Sequence, residues 1–188
     1  LHYEIVDGIL PRDTLFLHGN LASNVWWEPA LAEWKKSPAG KSRAILAEWR
    51  GCGGSKEFTG FSLETLACDA NTLLDYLKVA QVDIVSHSTG GLIGLHAMAL
   101  APEKFGKAFL LDTVAPEGVQ FGPEMIGAFQ KMSKDRDFCA AVILGTIHGG
   151  ELPEEYRQRI VDSAFTVSPV IWNGVPEILK APAPLPFA

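Results

Sequence analysis

Two hydrophobic periods alternate through the first 113 residues, and this alternation constrains the fold more than any other feature. Short apolar runs occur at "HYEIV" (2–6), "TLFLH" (14–18), "RAILAEW" (43–49), "VDIVS" (82–86) and "KAFLLD" (107–112). Each is bounded by Gly, Pro or polar turns, so each reads as a strand, and the last three read as buried strands. Between them lie segments with apolar residues at helical spacing. Residues 24–36 carry Trp26, Trp27, Ala30, Leu31 and Trp34; residues 62–78 carry Leu63, Leu66, Ala67, Ala70, Leu73, Leu74 and Leu77, with Ser62 as N-cap. Residues 89–101 carry Leu92, Leu95, His96 and Ala99, and Pro102 ends the run. Buried strands alternating with helices predict an α/β fold with a mostly parallel, doubly wound sheet and helices on both faces.

The pattern changes after residue 113. Helical spacing recurs at 121–134, 136–147, 153–166 and 169–180, with Pro153 and Pro169 at expected first helical positions, and no strand is evident. We therefore divide the chain into a core (1–113), a helical cap over the strand ends (114–180) and an extended Pro/Ala-rich tail, "APAPLPFA" (181–188). A chain of 188 residues is long enough for a real core, and its net charge of -6 argues against a nucleic-acid surface. No apolar stretch approaches a membrane span. Cys52, Cys68 and Cys139 form no C-x-x-C pair, which disfavours a zinc knuckle or redox motif and fits a reducing cytoplasm. Because the chain begins at Leu1, a signal peptide could precede it.

In parallel sheets ligands bind beyond the carboxyl ends of the strands. That rule selects four places: His18-Gly19-Asn20, Arg50 to Gly53, Ser86 to Gly90, and Asp112-Thr113. At the third, Ser88 stands at a strand-to-helix turn among small residues, the arrangement of the elbow G-x-S-x-G. Gly90 and Gly91 allow close packing there, whereas Ser86 occupies the usual first glycine. The bland reading makes Ser88 a helix N-cap. At the first place, backbone N–H groups of the loop can face an oxyanion together with the N–H of Thr89. "RGCGGSK" (50–56) has neither phosphate-loop nor dinucleotide-loop spacing, and Cys52 has no base placed for it.

"LFLHGN…WWEPAL", "AEWRGCGGS", "VDIVSHSTGG" and "KAFLLDTVAP", in this order, resemble the α/β-hydrolase fold family over about residues 2–116. The resemblance implies Ser88 as nucleophile, oxyanion donors from the backbone of Asn20 and Thr89, and a lid after the last matched strand. It gives His87 a packing role. Some haloalkane dehalogenases of the family share the H-G-N loop but use an aspartate nucleophile; a serine points to ester-type acyl chemistry.

The base is harder to place. The expected order is Ser, then Asp or Glu, then His. Asp112 ends the strand after Ser88 and is a candidate acid, with a structural strand-end aspartate as the alternative. His96 lies eight residues along the helix that follows Ser88, which carries it roughly 12 Å away. His148, in "TIHGG", is a weak candidate base. The two further strands that carry the acid and histidine in the family are not evident. Both deficits lead us to expect that the chain is the N-terminal portion of a longer hydrolase.

The expected function is a serine hydrolase acting on a carboxylic ester or related small acyl compound, with no metal or organic cofactor needed. Met125, Phe129 and Trp172 are candidate pocket residues, with cap core as their bland alternative. A lactonase, a carbon–carbon bond hydrolase or a cofactor-free haloperoxidase shares the same residues. A non-catalytic ligand-binding module is the reading outside enzymology. Oligomeric state is not legible.

Overall fold

The computed structural model describes residues 1–58, 60–115, 117–147 and 152–180. Among the described residues five strands form one sheet: β1 (His2–Val6), β2 (Leu10–Leu17), β3 (Ser42–Glu48), β4 (Val82–His87) and β5 (Phe105–Leu111). Their spatial order is β1-β3-β2-β4-β5. Strand β1 runs antiparallel to β3, and every other pairing is parallel. Strand β2 lies at the centre between β3 and β4, and its apolar second half, Leu15 to Leu17, is fully buried. Leu15, Ile45 and Ile84 are at most 1% exposed, and each such side chain contributes about 1.5–3 kcal/mol on burial.

Helices cover both faces. On one side α2 (Leu63–Tyr76) and α3 (Thr89–Leu100) place Leu66, Leu74, Leu92 and Ile93 against Leu15, Leu17, Ile45 and Ile84 in the main core. Ser62 caps α2 as expected, its Oγ accepting from Thr65 N at 3.1 Å. On the other side a smaller core joins Phe16 and Leu46 to Trp27 and Leu31. The single helix expected at 24–36 is instead a 3-10 helix (Asn24–Trp27) followed by α1 (Glu28–Trp34). Pro29 has no N–H to give and is tolerated only in a helix's first turn, so the α-helix starts just before it.

One expectation is overturned. The pattern of "KAFLLD" predicts a buried strand, yet residues 106–109 of β5 are exposed, Phe109 by 63%. An apolar run does not distinguish a central strand from an edge. Here β5 pairs with β4 alone among the described residues, so its outer edge and part of one face meet no neighbour.

Among the described residues four helices follow β5: α4 (Pro123–Met132), α5 (Arg136–Gly145), α6 (Glu154–Phe165) and α7 (Pro169–Ile178). Proline stands at the start of α4 and α7, where its missing N–H costs nothing, while Pro153 is the residue just before α6. These helices dock on the strand ends. Ser168 N donates to Gly51 O at 2.8 Å, and Tyr156 Oη donates to Val25 O at 3.2 Å. The Arg159 guanidinium pairs with Glu28, holding α6 to α1. Among the described residues no helix is long and apolar enough to cross a membrane. The tail at 181–188 lies outside the described residues.

Candidate functional site

Backbone strain marks the carboxyl ends of the strands. Four described non-glycine residues have positive φ: Leu21 (49°), Lys78 (56°), Ser88 (51°) and Asp112 (43°). Lys78 ends α2. The other three lie just beyond β2, β4 and β5. Such conformations cost on the order of 1–3 kcal/mol and persist only where the surroundings impose them.

At Ser88 the imposing contacts are visible. Its φ of 51° and ψ of -121° turn the chain from β4 into α3. Its N–H donates to Leu111 O at 3.0 Å, and its carbonyl accepts from Gly91 N at 2.9 Å and from Thr113 Oγ1 at 3.3 Å. The peptide is thus fixed on both sides, with the side chain half-buried at the helix start. Ser88 Oγ caps no helix N–H, and no described residue hydrogen-bonds it, which removes the bland N-cap reading. Thr89 is the first residue of α3 and fully buried, so its N–H has no acceptor within the helix. Gly90 is required by close approach: a Cβ there would collide with the carbonyl oxygens of Leu17 and His18. Ser86, where glycine is usual, is completely buried, and its Oγ has no partner among the described residues.

The loop after β2 lies against this turn. A Cβ on Gly19 would stand 3.3 Å from Ser88 Cβ and 2.9 Å from His87 Nδ1, so the 18–20 loop and the serine turn touch. His18 is held by its neighbours. Its Nδ1 donates to Gly19 O at 2.8 Å, its ring stacks on Trp49 at 5.3 Å, and its carbonyl accepts from Trp49 Nε1 at 3.0 Å. Burial pushes its pKa down to about 4, so the ring is neutral near pH 7. Asn20 follows at the half-buried turn.

The remaining candidates divide. Asp112 is exposed at the end of β5, and its charge acts on His87, partly offsetting the burial that lowers that pKa. The His87 ring stacks on Trp26 at 6.2 Å, which agrees with a packing role. His96 sits on α3, with its pKa lowered by burial. His148 lies outside the described residues. Phe129 and Trp172 meet edge-to-face at 5.2 Å and belong to the main core, while Met125 is 48% exposed. Trp172 also lines a surface hollow of about 600 Å³ beside Gln130, Phe165 and Asn173.

A cavity of about 170 Å³ is bounded instead by Gly19, Trp26, Trp27, His87 and Leu111. It lies immediately beside the serine turn, although Ser88 itself does not line it. The adjacent tryptophans after the H-G-N loop were the available signal; their helical spacing concealed it. A larger hollow of about 370 Å³, between β1 and α2, is at the opposite edge of the sheet and contacts none of these residues.

Sequence reasoning also missed Glu48. This carboxylate is 5% exposed and accepts from Asn24 N at 2.9 Å and Gly54 N at 2.7 Å. It fixes the start of the 3-10 helix that carries both tryptophans. A charged residue ending the buried run "RAILAE" was its signal.

A family model for the alpha/beta hydrolase fold matches residues 15–146, and the chain belongs to that family. BpoC of Mycobacterium tuberculosis (strain ATCC 25618 / H37Rv) is 32% identical over 71 residues, 38% of this chain and 27% of that protein. The 3-oxoadipate enol-lactonase 2 of Acinetobacter baylyi is 28% identical over 113 residues, 59% of this chain and 41% of the enzyme. The chain thus matches less than half the length of either relative. The solved esterase EaEST from Exiguobacterium antarcticum shares the fold, with a TM-score of 0.80 at 21% identity, over 97% of this chain and 70% of the esterase. The chain is shorter than this structural neighbour, spanning 70% of the esterase.

Proposed function

We propose that the protein is a serine hydrolase of small carboxylic esters, with Ser88 as nucleophile. The observation that carries this reading is the Ser88 turn: a non-glycine residue held at φ 51° at the start of α3, its hydroxyl committed to no described partner. A serine that served only as a cap would adopt extended backbone and bond an N–H of its helix, as Ser62 does.

The chemistry follows. Ser88 Oγ attacks the ester carbonyl carbon and transfers its proton to an imidazole. The N–H groups of Asn20 and Thr89 hold the oxyanion of the tetrahedral intermediate. Collapse expels the alcohol, which takes up that proton, and water then hydrolyses the acyl-serine. The base is none of the described histidines. His2 contacts Glu48, His18 is bonded to Gly19 and stacked on Trp49, His87 stacks on Trp26, and His96 is carried away along α3. His148, or a histidine outside this sequence, supplies it, with Asp112 as one candidate for the orienting acid. Helices α4 to α7 act as a cap that excludes water, as their docking through Tyr156 and Ser168 supports.

A lactone is the second substrate class, supported by the enol-lactonase relative. The same attack opens the ring of this cyclic ester, and the leaving oxygen stays tethered. Hydrolysis of p-nitrophenyl acetate and of simple lactones by the native full-length protein tests both. Ser88→Ala is expected to lower kcat at least ~10³-fold. Retention of activity within a few fold would remove Ser88 from the reaction and favour a binding module.

A further inference from the structure

We propose that the β1 edge of the sheet carries a zinc-type divalent metal site built from His2, Glu4 and Glu48, independent of the serine chemistry. The register places the ligands. In the antiparallel β1–β3 pair His2 stands opposite Glu48, and Glu4 stands opposite Leu46. Residues two apart on a strand share a face, so both β1 side chains project on the side where Glu48 lies. One ligand atom from each residue lies within 4.8 Å of the other two. His2 Nδ1 and Glu48 Oε2 are 2.7 Å apart. Donors held at 2.0–2.2 Å by one ion stand roughly 3–4 Å from one another, so a small rearrangement closes the set.

Asn24 supplies an independent observation. It is 4% exposed and borders the cluster, its Nδ2 donating to Glu4 Oε1 at 3.1 Å and to Leu46 O at 3.3 Å. Its Oδ1 is buried with no partner among the described residues. A buried amide oxygen left unmatched is costly, and an ion or an ion-held water satisfies it. Glu48 is already oriented by Asn24 N and Gly54 N, the type of outer contact that fixes a metal-binding carboxylate. One imidazole with two carboxylates favours zinc or manganese over magnesium.

The bound ion would tie β1 to the end of β3 and to the 3-10 helix that carries Trp26 and Trp27. Its role is therefore structural, and it stabilises the folded state by mass action. The native protein, stripped with a chelator, is melted in increasing zinc chloride and, separately, magnesium chloride. Zinc is expected to raise Tm saturably at micromolar concentration, with magnesium ineffective over the same range. Glu4→Gln and His2→Ala, both exposed positions, are expected to raise the half-saturating zinc concentration at least ~10-fold. No rise in wild-type Tm, or the same zinc dependence in both variants, would overturn the site.

Discussion

Replacing Ser88 with glycine is expected to make the protein more stable and chemically inert. The residue sits at φ 51° and ψ -121°, a region that glycine enters freely and other residues enter at a cost of about 1–3 kcal/mol. Glycine adds unfolded-state entropy worth about 0.5–1 kcal/mol against the fold. The backbone bonds of Ser88 to Leu111 and Gly91 survive the change, because they involve no side-chain atom. No hydrogen bond of the hydroxyl is lost among the described residues. The net expectation is a gain of about 0.5–2 kcal/mol. Ser88→Ala keeps the Cβ and the strain, so it should fall within about 0.5 kcal/mol of wild type. Urea unfolding at constant m reads both. Lys78→Gly, at φ 56° where α2 ends, is a control at a site without chemistry and should gain about 0.5–1 kcal/mol. If Ser88→Gly is no more stable than Ser88→Ala, the turn is not strained and the argument from its geometry fails.

Other outcomes follow from the same contacts. Gly90→Ala forces a Cβ onto the Leu17 and His18 carbonyl oxygens, which cannot swing aside, and should cost about 3 kcal/mol in urea unfolding. His18 has a folded pKa of about 4, below the unfolded value of about 6.5, so the unfolded chain takes up the proton first. Its contribution is therefore complete above pH 6.5 and declines to about pH 4, a loss of roughly 3 kcal/mol; His18→Gln should flatten the wild-type stability curve across that window. Tyr156→Phe removes the bond to Val25 O and should cost about 1 kcal/mol. With DTNB, the native protein should show fast reaction of Cys68 alone, since Cys52 and Cys139 are buried and their pKa values raised by burial.

The strands and most helices were legible because each run kept one period. "VDIVS", with Val82, Ile84 and Val85, became β4, which pairs with β2 and β5; the helical spacing from Leu63 onward became α2. Edge and centre were not legible. "KAFLLD" and "RAILAEW" look alike as strings, and only the strand order shows that the first lies at the rim. The serine turn was legible because a special backbone needs small neighbours, and Gly90 and Gly91 advertise them. The cavity was not. Phe129 and Trp172 have the spacing of a pocket wall and of a helix core alike, and they pack on each other. Trp26 and Trp27 reach the site on a 3-10 helix whose first residue, Asn24, is held by Glu48, a contact across 24 residues that no local pattern encodes.

The central claim is that Ser88 is an activated nucleophile. A fluorophosphonate probe, applied to the native full-length protein and followed by peptide mass mapping, tests it most directly. The account predicts a single adduct, on the peptide containing Ser88, that disappears in Ser88→Ala. An adduct on another residue, or none on the intact protein, would contradict it.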